Sequence, residues 1–179
     1  MSYVVGLLVR GVTRLDNIVY VVSCISSIIA MYTADTLSPL GEGIHVDGMK
    51  DPCDIVACRR DRQLYVADKD YCIWRVSTDD HSDYEKWLTT DTFLVYSLSM
   101  TSRGVLVTSW QPPTLYEYST VDAQLLHAVH MPPFVKCLWH GVETSRGTFV
   151  ISHRGTTMVQ DSWQHAVSEL FNGSLDKMD

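Results

Sequence analysis

Short apolar runs bounded by polar turns recur along the chain, and no stretch keeps a 3.6-residue apolar period over several turns. Alternation predicts strands over 19–23, 64–68, 105–109 and 148–152. Their central anchors are Tyr20, Tyr65, Leu106 and Phe149, about 41 to 45 residues apart, a spacing typical of repeat architectures. The last two strands each follow the same four letters, Thr101-Ser102-Arg103-Gly104 and Thr144-Ser145-Arg146-Gly147. A further strand signal follows each of the first three anchors, at 29–32, 73–76 and 115–118. Another precedes the last three, at 54–57, 97–100 and 137–139, and a weaker fourth lies at 43–47, 84–89 and 125–129. Residues 4–12 are expected to supply the innermost strand of the first unit. The last unit continues either at 157–160, in phase, or at Ala166–Leu170, out of phase.

Four short strands per period of about 43 residues describe the blades of a β-propeller, each a twisted sheet that buries both faces against its neighbours. The expected fold is all-β, a partial β-propeller of about four blades built from four-stranded antiparallel sheets. Residues 1–156 form the blades, and 157–179 a degenerate last blade or a C-terminal tail. An open arc leaves unpaired edges and uncovered faces. We therefore expect a piece of a longer propeller; a small four-bladed ring and an arc completed by a second chain are the alternatives.

The second unit carries Asp51-Pro52-Cys53-Asp54-Ile55-Val56-Ala57, then Gln63-Leu64-Tyr65-Val66-Ala67-Asp68, then Cys72-Ile73-Trp74-Arg75-Val76. This resembles the NHL repeat. The other units are degenerate, with Ser109 and Ser152 matched to Asp68, and Ser97 and Cys137 matched to Asp54. The resemblance implies a six-bladed type of ring and a non-enzymatic scaffold that binds a protein through one rim of loops. Two alternatives share the propeller shape. A gluconolactonase-like hydrolase or lyase would need acidic, Asn or His side chains converging on a divalent metal, and an RNA-binding propeller would need a positive rim.

The formal charge of −7, from 14 basic and 21 acidic residues, speaks against a phosphate-binding surface. Five cysteines without framework spacing point to a reducing, cytoplasmic setting. The uncharged stretch 18–34 is short for a membrane span and is interrupted by Ser23, Ser26 and Ser27; two strands and a turn explain it better. No cofactor is expected. Cys53, Cys58 and Cys72 lack the paired spacing of a zinc site, and His127 and His130 should point to opposite faces of a strand.

Candidate partner-binding residues are Asp68, Lys69, Asp70, Trp110, Gln111, His153 and Arg154, at the ends of the anchor strands. Propeller geometry sets them on one rim with Asp51, Met131 and Phe134. Aromatic groups beside charges suit recognition of a protein. Arg59-Arg60-Asp61-Arg62, in the opposite turn, reads as a solvated turn. A protein partner is expected, nucleic acid and membrane are not, and open blade edges allow self-association.

Overall fold

The computed structural model describes residues 8–154 and 166–170, all of them in strands, turns and loops. The strands are β1 (Val9–Leu15), β2 (Ile18–Ser23), β3 (Ile28–Thr33), β4 (Ile44–His45), β5 (Pro52–Cys58), β6 (Gln63–Asp68), β7 (Cys72–Ser77) and β8 (Tyr84–Thr89). They continue as β9 (Val95–Met100), β10 (Gly104–Ser109), β11 (Thr114–Ser119), β12 (Leu125–His130), β13 (Cys137–Glu143), β14 (Phe149–Arg154) and β15 (Ala166–Leu170). They form four up-and-down sheets in the orders β1-β2-β3-β4, β5-β6-β7-β8, β12-β11-β10-β9 and β13-β14-β15. The all-β expectation and the strand spacing hold, and the uncharged stretch 18–34 is indeed two strands and a turn. Among the described residues no helix is long and apolar enough to cross a membrane.

The first strand runs over Val9–Leu15 rather than 4–12. Its position follows from the tight turn at Asp16 and Asn17, which pairs Leu15 with Ile18 and sets the register of the hairpin. Of the two continuations after β14, Ala166–Leu170 is the strand that pairs with it; residues 157–160 lie outside the described residues.

The chain divides into two compact units, 1–98 and 99–179, with the boundary inside β9. In the first unit, Tyr20, Val22, Ile29, Ile44 and Val46 of the first sheet pack on Ile55, Leu64, Val66, Trp74 and Val76 of the second. Each of these fully buried large side chains contributes about 1.5–3 kcal/mol relative to leaving it in water. Backbones approach closely here, since a Cβ on Gly11 would lie 2.7 Å from the Ile55 nitrogen. The Ala57 N–H donates to Thr13 Oγ1 at 3.1 Å across the same junction. In the second unit Leu106 and Leu115 pack with Val135, Leu138 and Ile151.

Three of the innermost hairpins share a register irregularity at the same place. It falls between Val9 and Gly11 opposite Ser23 and Val22, between Pro52 and Asp54 opposite Asp68 and Ala67, and between Leu138 and His140 opposite His153 and Ser152. This bulge corrects the sequence matching of the fourth unit. His153, not Ser152, stands where Asp68 does, and His140, not Cys137, stands where Asp54 does. The anchor equivalent to Tyr20, Tyr65 and Leu106 is Val150, not Phe149.

The cause lies in the repeated letters. In the first copy the Thr101 N–H donates to the Gly104 carbonyl at 2.9 Å, closing a turn over Ser102 and Arg103. In the second the Thr144 N–H reaches the Thr148 carbonyl at 2.7 Å, so Gly147, with φ of 74°, is one residue more in the loop. One added residue turns every side chain of the following strand to the other face. Ile151 and Phe149 accordingly pack with Leu106 and Leu138, the role that Val66 and Leu64 play in the second sheet.

Candidate functional site

The proposed rim residues divide between the two units, and each group has its own environment. In the first unit Asp68, at the end of β6, is fully buried. Its carboxylate accepts the Lys50 N–H at 2.9 Å, the Asp51 N–H at 3.0 Å, the Asp70 N–H at 3.2 Å and the Trp74 indole N–H at 3.2 Å. Asp68 thus clamps the loop leading into β5 to the β6–β7 turn, and it is not displayed to a partner. Its burial follows from the strand period, which sets Leu64, Val66 and Asp68 on one covered face.

The displayed charges around it are matched. Lys69 pairs with Asp51 at 3.0 Å and Lys50 with Asp70 at 2.8 Å. Hydrogen bonding from Lys69 holds the Asp51 carboxyl below its ordinary value, and Lys50 does the same for Asp70. This part of the rim is a self-neutralised lattice with exposed Tyr71 beside it.

The second unit carries the aromatic part. Trp110 is 39% exposed, and its indole N–H donates to Cys137 Sγ. The Trp139 ring lies 6.2 Å away at a tilt of 31°. Phe134 is 54% exposed and meets the ring of buried His153 edge-on at 6.5 Å. Gln111 is exposed next to Trp110, and Met131 is half-buried against Leu106 and its neighbours. His153 therefore supports the displayed Phe134 from within. The backbone of Arg154 ends β14, in the position that Lys69 takes after Asp68. Sequence reading missed Trp139, because the shifted register hid its match to Cys53 beside the bulge.

Where the second sheet has Asp68, the third has Ser109, also fully buried, and its hydroxyl has no hydrogen-bond partner among the described residues. A buried hydroxyl without a partner costs free energy that an apolar group of similar size does not. Ser109→Ala is expected to raise stability by about 1 kcal/mol, read as a higher denaturant midpoint at unchanged slope. A loss of stability would show that the hydroxyl has a partner after all.

The remaining sequence candidates resolve into local structure. Arg60 pairs with Asp61 at 2.9 Å, and Arg62 bridges Asp16 at 2.8 Å and Asp79 at 2.7 Å, so the basic turn is held by internal ion pairs. Cys53 Sγ donates to the Val95 carbonyl at 3.5 Å, and burial pushes its thiol up to about 12. Burial likewise pushes Cys72 up to about 11. His127 and His130 face opposite sides of β12, opposite Glu117 and Thr114 respectively. Asp54 has both oxygens engaged, Oδ1 by the Ile55 N–H at 2.9 Å and Oδ2 by the Leu98 N–H at 2.8 Å. Among the described residues no three His, Cys, Asp or Glu side chains gather as metal ligands would.

No family model matches the chain, and no curated protein matches it by sequence. Solved structures do match. The WD40 β-propeller domain of Doa1 aligns with a TM-score of 0.65 at 18% identity, over 82% of this chain and 48% of that one. A chain of the nidogen/laminin complex aligns at 0.66 and 13% identity, over 83% and 58%. The computationally designed Ika4 protein aligns at 0.64 and 11% identity, over 97% and 96%. The chain thus spans about half the length of the Doa1 chain it matches. Likeness at such low identity carries the fold alone: the sheets are β-propeller blades.

Proposed function

We propose that this chain is a non-enzymatic protein-interaction module, with blades of the NHL kind, acting in the cytoplasm and engaging a protein partner through the aromatic loops of its second unit. The observation that carries this reading is the displayed pair Trp110 and Phe134, each fixed from behind, Trp110 by Cys137 and Trp139, Phe134 by His153. Exposed aromatic rings held in place lose little freedom on binding and dominate the energetics of protein interfaces. A metal-dependent hydrolase or lyase finds less support, because each oxygen of Asp54, the inner-strand carboxylate it would recruit, already accepts a backbone N–H, from Ile55 and from Leu98.

Photo-crosslinking tests the proposal. A benzophenone side chain at Gln111, beside Trp110, is expected to trap a discrete protein partner in cells. Combining Trp110→Ala with Phe134→Ala should weaken that partner's binding by about 30-fold or more, as for truncation of hot-spot residues, without loss of strand content. Arg62→Ala, in the opposite turn, should leave it unchanged. Crosslinks unaffected by the double substitution, or abolished by Arg62→Ala alone, would overturn the assignment of the site.

A further inference from the structure

The last strand of a blade exposes backbone N–H and C=O groups that another strand can pair with, unless something blunts the edge. The first sheet ends on β4, which is two residues long. The second ends on β8, where exposed Glu85 pairs with Arg75 and exposed Lys86 lies over the Trp74 ring at 5.4 Å, so charges guard it. The third ends on β12, six residues without Asp, Glu, Lys, Arg or Pro. Two of its side chains are apolar and displayed, Leu125 at 51% and Leu126 at 37% exposure. Of these three edges, β12 is the one left without a guard.

The register of β12 fixes which of its groups point outward. The Met131 N–H donates to the Pro113 carbonyl at 3.0 Å, in line with the pairing of Leu115 with Val129 and of Glu117 with His127. Bonded and unbonded pairs alternate along an antiparallel ladder. Ala128 and His130 therefore turn their N–H and C=O groups away from β11, and among the described residues no strand lies beyond β12 to receive them. The Ala128 side chain is exposed as well. We propose that this edge pairs with the same edge of a second copy of the chain, β12 against β12 in antiparallel sense, across a two-fold axis at Ala128. There the two Ala128 residues exchange both backbone hydrogen bonds, and Leu126 faces His130 of the second copy. What suits the strand to its own copy is that its smallest side chain falls at the axis, where a residue must meet itself. No Asp, Glu, Lys or Arg on the strand is brought against its like. The contact is isologous.

Sedimentation velocity of the full chain over a range of concentrations is expected to show a monomer–dimer equilibrium. Ala128→Lys and Ala128→Glu should each weaken the dimer by about tenfold, because like charges then meet at the axis. Mixing the two variants sets Lys against Glu and should give heterodimers from two largely monomeric solutions. Amide hydrogen exchange of the wild type adds a readout that depends on no variant folding. The N–H groups of Ala128 and His130 should exchange about tenfold more slowly once about nine-tenths of the chain is dimeric, since exchange then proceeds from the free monomer. Those of His127 and Val129, already bonded to β11, should hold their rates. A wild type that stays monomeric, a mixture of folded variants that forms no heterodimer, or a dimer whose Ala128 and His130 amides exchange as fast as in the monomer overturns the proposal.

Discussion

Asp68→Ala is expected to destabilise the first unit by about 3–5 kcal/mol, the range for stripping the acceptor from buried, charge-assisted hydrogen bonds. Four donors converge on this carboxylate: three backbone N–H groups, from Lys50, Asp51 and Asp70, and the Trp74 indole. Alanine leaves the donors without an acceptor and opens a void beside Trp74, which is buried in the core of the same unit. Asp68→Asn retains one acceptor oxygen but turns an amide NH2 toward other donors, so its loss should be smaller yet clear. Equilibrium denaturation followed by tryptophan fluorescence checks both. An alanine variant within 0.5 kcal/mol of wild type, roughly the scatter of ordinary surface substitutions, would show that the clamp is not a stabilising element. Lys69 and Asp51 lie on the clamped loops, so their ion pair should loosen along with them.

The second large effect separates two glycines that the sequence presents as twins. A Cβ on Gly104 would lie 1.9 Å from the Tyr118 carbonyl oxygen, inside the β10–β11 pairing where Gly104 faces Ser119. The obstacle is backbone, which cannot swing aside. Gly104→Ala is therefore expected to cost about 3 kcal/mol, the upper range for overpacking a tight site. Gly147, in the second copy of the motif, would place a Cβ in open space, and only its φ of 74° resists substitution. Gly147→Ala should cost about 1 kcal/mol, the expense of an L-residue in the left-handed region. Thermal or chemical denaturation of the two variants side by side decides the matter, and equal losses would contradict the distinct turn geometries.

Much of the blade architecture was legible from local pattern. Alternating apolar residues at 64–68 and 105–109, the intervening turn letters and the regular spacing located strands β6, β10 and most of their neighbours within a residue or two. The site was less legible. Asp68 and His153 read as loop-end polar groups fit for a partner, yet both are buried, and they support the displayed residues rather than join them. Trp110 and Phe134 were identified because an aromatic in a polar loop is conspicuous in any register. Trp139 was missed because its significance depends on which residue it matches in the other blades.

Local pattern suffices for the strands, their order and the antiparallel hairpins, because a two-residue side-chain period and short polar turns are local properties of the chain. Which face β14 presents is settled only by packing in the folded blade. The repeated Thr-Ser-Arg-Gly letters suggest one register, but the longer loop that ends at Thr148 imposes the next. Face is a relation between a strand and what packs on it. The same holds for Asp68, whose four hydrogen bonds join loops some twenty residues apart in the chain, and for Gly104, whose side-chain space is taken by the carbonyl of a neighbouring strand.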